Sequence, residues 1–287
     1  MKKLCILYSL LITAIFAGNS GVIFAATVGN SMDLDLPKTS AVLRQQVIDQ
    51  TLNECEQKVK IKSALDLEFL FDKDLESSAE IGKAELKGQW YMAKLAVTVF
   101  DKVEPYVKIG TSNLEVKWKL NEGENIEVDA DQGLAWGFGL KGVIWDFDEW
   151  GVRLTGDTQY RVTEPSDIES IMFRGDSISD PGADFKVEEW QLSLALSKKF
   201  ELPLKMQSFY IVPYTGLTIC DSLVDVKFRD PGYLAEQYSI YDANNKSNVG
   251  FFLGCDIMPT LTSSFIYSME LRLIDETSLT LGGAMKF

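Results

Sequence analysis

Histidine is absent from the 287 residues. Without an imidazole, a Ser–His nucleophile pair cannot be built, nor can a zinc site that uses histidine. Basic residues are scarce as well, with 28 Lys and Arg against 42 Asp and Glu, a formal charge of −14. Setting aside Lys2 and Lys3 at the amino-terminal tip takes it to about −16. A chain this acidic does not seek nucleic acid, itself a polyanion. Long apolar runs are missing too: beyond the amino terminus no stretch reaches the roughly 18 continuous apolar residues a membrane-crossing helix needs.

Cysteine is sparse, at positions 5, 55, 220 and 255. Cys5 lies in MKKLCILYSLLITAIFAGNSGVIFAA, where two lysines, an apolar run and small residues at Ala25 and Ala26 form the three parts of a secretory signal peptide. Residues 1–25 are therefore expected to be removed on export. Three cysteines would remain in an oxidising compartment, and three cannot all pair within one molecule. Cys220 and Cys255 could bridge only across neighbouring strands with both thiols on one face, and the alternation puts them on opposite faces. Cys55 is left as a free or intermolecular thiol. Three small residues with no bridge is an equal reading.

What is abundant is alternation. Residues 39–60 first show helical spacing at Leu43, Val47, Ile48, Leu52, Cys55 and Val59, which predicts a short helix in a periplasmic or plug segment spanning 26–60. From Ile61 the period becomes 2 and holds to the end, predicting one all-β unit over 61–287. The stretches are 61–69, 91–99, 104–111, 134–145, 152–162, 190–196, 211–219, 249–257, 265–273 and 279–287. That is about ten strands on a pattern count. The segments 115–120, 168–174 and 223–228 could hide more, so twelve or more is the alternative. Short turns near Asp101, 146–149, 202–205 and 259–262 alternate with long polar segments at 72–83, 120–130, 163–184 and 229–246, the layout of a transmembrane antiparallel barrel.

The faces decide between such a barrel and a soluble sandwich. In GVRLTGDTQYRV, Val152, Leu154, Thr158, Tyr160 and Val162 point one way, with Arg153, Thr155, Asp157, Gln159 and Arg161 the other. A lumen would receive the second set. Trp90, Tyr91, Trp118, Trp136, Trp145, Trp150, Trp190, Tyr210 and Tyr214 fall near strand ends, as aromatic girdles at lipid headgroups would. The expected lumen lining is Lys94, Lys108, Lys141, Arg153, Arg161, Arg272 and Lys286, faced by Asp66, Glu68, Glu104, Asp157, Asp256 and Glu270. A mixed ring of charges favours small hydrophilic solutes, and interior salt bridging is the other reading.

Several segments resemble the chlamydial major outer membrane protein family of porins. The ending ELRLIDETSLTLGGAMKF carries Glu270, Arg272, Leu273, Ile274, Asp275 and Glu276 and closes on Phe287, like that family's last strand pair. EEWQLSLALSKKF (188–200), VPYTGL (212–217), and Ala135, Trp136 and Gly139 followed by Trp145 and Gln159–Tyr160 are similar to further strands, in the family's order. The resemblance implies a trimeric outer-membrane porin for small hydrophilic solutes, with Phe287 as the aromatic end read by the barrel-assembly machinery. This chain is shorter and poorer in cysteine than the familiar members, so a disulfide-linked lattice is not carried over.

Other chemistry has thin support. No Asp pair stands out from loop acids such as Asp146, Asp148 and Glu149, so no enzyme and no cofactor are expected. Glu127, Asp129 and Asp131 could hold calcium on a loop, but solvated acids explain them better.

Overall fold

The computed structural model describes residues 59–77, 81–120, 125–130, 132–164, 168–173, 176–179, 184–203, 208–229, 237–258 and 265–286. Ten strands close into an antiparallel barrel, in the ring order β1 (Val59–Ser77), β2 (Ile81–Val99), β3 (Val103–Leu120), β5 (Gly133–Phe147), β6 (Val152–Glu164), β9 (Asp184–Lys198), β11 (Ser208–Arg229), β13 (Val249–Met258), β14 (Phe265–Leu273) and β15 (Thr277–Lys286). Closure is the pairing of β15 with β1, running from Lys62 opposite Lys286 to Asp72 opposite Thr277.

The remaining strands build height. β4 (Asn125–Ala130) pairs with the upper half of β3, β7 (Ile168–Phe173) with β4, and β8 (Asp176–Ser179) with β7. β10 (Phe200–Pro203) pairs with the start of β11 at the opposite end. β12 (Gln237–Asn245) bridges the tops of β11 and β1, completing the wall above the shorter β13, β14 and β15.

Which face is apolar depends on height. On the lower part of β3, Val103, Val107 and Ile109 point out while Glu104 and Tyr106 are buried within. On its upper part Glu115 and Lys117 point out, and Leu114, Val116 and Trp118 are buried within. β9 does the same, with Leu192, Leu194 and Leu196 outside and Gln191, Ser193 and Ser197 inside below, then Lys186 and Glu188 outside and Phe185 and Val187 inside above. On these two strands the period of 2 is kept throughout the described side chains; only its sign changes.

Aromatic side chains mark the edges of the apolar belt. Tyr91, Trp136, Tyr160 and Trp190 lie at its upper edge, with the Trp136 and Tyr160 rings 6.1 Å apart and Tyr160 registered against Trp190. Phe100, Trp145, Phe147, Trp150 and Phe200 lie at the lower edge, where Phe147 stacks on Trp150. On β2 the belt runs from Tyr91 to Val99. At about 3.3 Å per residue and a strand tilt of about 40° it stands about 20–25 Å tall.

The structure corrects several expectations. Trp90, Trp118, Tyr210 and Tyr214 are not girdle residues but buried inside the barrel. Their parity is inward, and being near a strand end does not set the face. The polar segments read as loops hold strand: β1 continues to Ser77, and β4, β7, β8 and β12 fall within them. On β4 the polar Glu127 and Asp129 face outward above the belt, which is why the stretch looks loop-like. β1 begins at Val59, two residues before the expected Ile61. The segments 115–120 and 223–228 are upper halves of β3 and β11, and 168–173 is β7, so the ring stays at ten. The signal peptide, the helix over 39–60, Cys55, Asp131 and Phe287 lie outside the described residues.

Candidate functional site

The interior of the belt is an ionic lattice. Alternation turns every second residue of each strand inward, and below the sign change most of these are polar or charged, with apolar patches at Ala64, Val212, Ile266 and Ala284 and at Ala195 and Phe252. Lys73 of β1 meets Glu189 of β9 at 2.8 Å and Glu276 at 3.1 Å, and its ammonium lies 3.5 Å from the Cys220 sulfur. Arg161 of β6 holds Glu68 of β1 at 2.8 Å and Glu189 at 2.6 Å, with its guanidinium 4.2 Å over the Trp90 ring. Arg272 of β14 reaches Glu270 and Glu276, each at 3.2 Å, and donates to the Gln191 side chain at 3.0 Å. Ser222 donates to Glu189 and Ser278 to Glu276.

A second tier lies lower. Lys108 pairs with Asp66 at 2.7 Å, and the Tyr106 hydroxyl donates to Asp157 at 2.8 Å. Lys62 and Lys94 both meet Glu104, which also accepts from Thr98, and Lys141 lies 4.0 Å from Asp157. Lys62, Lys73, Lys94, Lys108, Lys141, Arg161 and Arg272 thus balance Asp66, Glu68, Glu104, Asp157, Glu189, Glu270 and Glu276. Mutual pairing on this scale is what lets so many charges leave water.

The lattice fills the bore. At the top of the belt, where β12 joins β11 to β1, Lys73 and Glu189 touch directly. β1 and β6 are nearly opposite, and Glu68 and Arg161 touch as well. Glu104 and Lys141 are 0 % exposed. Aromatic rings occupy what the charges leave: a Cβ added at Gly139 would lie 2.3 Å from the Tyr106 ring, and one at Gly254 2.2 Å from Tyr214. Above the lattice, Leu75, Leu86, Leu114, Val116, Trp118, Phe185 and Val224 form an apolar cap.

Of the expected lining, Lys94, Glu104, Lys108, Lys141, Asp157, Arg161, Glu270 and Arg272 all belong to this lattice, as do Asp66 and Glu68, and Asp256 is buried inside. Arg153 points inward but pairs at the lower end with Asp146 at 2.6 Å. Lys286 stands opposite Lys62 in the β1–β15 register. Sequence reasoning missed Lys73, Glu189 and Glu276. A register shift in β1 between Leu70 and Lys73 moves the inward positions from even to odd numbers, so simple alternation sends Lys73 out. Glu276 sits in the β14–β15 turn, where alternation has no meaning. Cys220 points inward and Cys255 outward, and both are free thiols, as their opposite faces require.

Outside the barrel, Glu115, Glu127 and Asp129 bring carboxylate oxygens within 4.8 Å of one another on the upper wall. Lys117 fills part of that space, 2.5 Å from Glu115 and 2.8 Å from Glu127. Its ammonium holds Glu127 below the usual carboxylate range, while burial and the neighbouring Glu127 raise Glu115.

No family model matches the chain, and no curated protein matches it. Solved structures similar in shape include the outer membrane protease OmpT of Escherichia coli, at TM-score 0.41 and 11% identity, covering 80% of this chain and 95% of that one. The outer membrane protein OprG of Pseudomonas aeruginosa gives 0.36 and 13%, covering 80% and 96%. The translocator domain of the autotransporter NalP from Neisseria meningitidis gives 0.37 and 10%, covering 92% and 100%. At these levels the likeness carries no function, and the barrel assignment rests on this chain's own strand pairing.

Proposed function

We propose that the protein is an outer-membrane barrel with a filled lumen, which anchors a charged, water-facing upper wall at the cell surface in a structural or adhesive role. The observation that carries the filled lumen is the direct Glu68–Arg161 ion pair across the belt, between the nearly opposite strands β1 and β6. Membrane residence is supported by the apolar belt between two aromatic levels, whose height matches a barrel's lipid-facing band. The sign change above it is what a move from lipid into water asks of a wall: apolar side chains turn from the outside to the inside. Purified protein refolded into a planar lipid bilayer is expected to leave it sealed at all voltages. Steady conductance through the wild-type chain would overturn this reading.

A second reading, a narrow channel for ions or small hydrophilic solutes, is favoured by one feature of the lattice. Glu189 is shared by Lys73, Arg161 and Ser222, and Glu276 by Lys73, Arg272 and Ser278. Shared partners let ion pairs exchange without stranding a charge, and exchange could open a path. It is also the activity that the resemblance to the chlamydial major outer membrane protein family implies, a resemblance resting on the sequence segments alone. Discrete, voltage-dependent openings of the wild-type chain, made longer by Lys73→Ala with Glu189→Ala, are its expected signature.

A further inference from the structure

Barrel walls are convex, but this one carries a groove of about 1030 Å³ on its outer face across β1, β2 and β3. Its lower half lies within the apolar belt, between Leu65, Leu67 and Phe69 on β1 and Ile109 on β3. Ala93 of β2 leaves the centre shallow, and the main chain at Gly88 and Gly110 forms part of the floor. Gly110 permits this because β2 and β3 approach so closely that a Cβ there would lie 1.8 Å from the Tyr91 carbonyl oxygen. The upper half crosses the belt's edge and becomes polar, passing Gln89 and Asn113 to end at Glu115 and Asp129.

The groove is therefore amphipathic along its length, apolar where the wall is apolar and anionic where the wall is charged. We propose that it binds one membrane lipid with an ammonium headgroup, its acyl chain on the Leu65–Phe69 ridge and its headgroup amine between Glu115 and Asp129. Charge selects this occupant. Glu85, Glu115, Glu127 and Asp129 set four carboxylates against the two ammoniums of Lys87 and Lys117, leaving the rim negative, so an added cation is attracted and a phosphate without an amine is repelled.

The proposal rests on the membrane reading, so insertion is measured first, by density flotation of the full chain with vesicles. Failure of the wild-type chain to insert overturns both. For inserted protein, extraction in mild detergent and native mass spectrometry compare lipid retained from vesicles of phosphatidylethanolamine with that from phosphatidylglycerol vesicles. The amine lipid is expected to be retained about fivefold better, the worth of one partly exposed ion pair. Glu115→Gln with Asp129→Asn is expected to abolish the preference while the protein still inserts. Ala93→Trp, which fills the apolar half, is expected to reduce retention of both lipids. Equal retention by the wild-type chain, or a preference that survives the double substitution, would overturn the groove while leaving the barrel standing.

Discussion

Glu189 shows how much one lumen residue can hold. It accepts from Lys73 and Arg161, two cations carried by different strands, and from Ser222. Replacing it with Gln keeps the shape but leaves both cations short of a countercharge inside the wall. Removing one partner from a buried pair costs about 3–5 kcal/mol, and Glu189→Gln is expected to fall in that range in urea titrations of folding into lipid vesicles. Ser222→Ala, which removes a neutral donor to the same carboxylate, is expected to cost about 1 kcal/mol.

On the upper wall the same chemistry is weaker, because water is near. Glu127, held low by Lys117, adds stability that is present above its unfolded value and lost as the pH falls through its folded one. Glu115, raised by burial, has the opposite sign: its charge opposes folding at neutral pH, and the penalty fades as acid protonates it. Glu127→Gln is therefore expected to lower the stability at pH 7 by no more than about 1 kcal/mol, read as a lower thermal midpoint, and Glu115→Gln to leave the midpoint unchanged or raise it. Both differences should vanish in acid. A Glu115→Gln variant that is less stable than wild type at pH 7 would reverse this assignment.

At the scale of the element, strands β2, β3, β9 and β11 run unbroken through two environments. Leu194 of β9 is 47% exposed within the apolar belt, and Leu223 of β11 is 41% exposed above it. By exposure alone the two leucines are equivalent. If the belt meets lipid, Leu194→Arg is expected to cost about 2–4 kcal/mol in vesicle folding, and Leu223→Arg close to nothing. Equal costs would place both residues in the same medium and remove the basis for a boundary. β12 matters for the opposite reason: it crosses above β13, β14 and β15 and joins β11 to β1, so one strand there takes the place of three.

At the scale of the whole molecule, a lumen can be polar without being a conduit. Charged residues at every second position guarantee a polar interior, but an opening also requires a ring wider than the side chains it encloses. A ring of ten is narrow enough that residues on nearly opposite strands, Glu68 and Arg161, meet. The apolar cap above the lattice, with Trp118 and Phe185 fully buried, closes the bore a second time by different chemistry. A barrel shut this way is expected to resist heat in detergent and to migrate as a compact species on unheated gels until the lattice is broken. Glu189→Gln should therefore lower the temperature at which that species disappears.

The amino-acid sequence by itself determined the ring. Period 2 from Ile61 onward, with polar residues such as Arg153, Asp157 and Arg161 all on one face, admits few folds, and the ten stretches it marks are the ten strands of the barrel. It determined nearly all of the inward charges for the same reason, since a regular strand fixes each face by parity. Tertiary structure alone decided the rest. The shift after Leu70 that turns Lys73 inward leaves no trace in composition, because a bulge displaces one residue without changing its neighbours. Whether Glu68 meets Arg161 or faces it across water depends on the width of the closed ring, a distance set by all ten strands together and written in none of them.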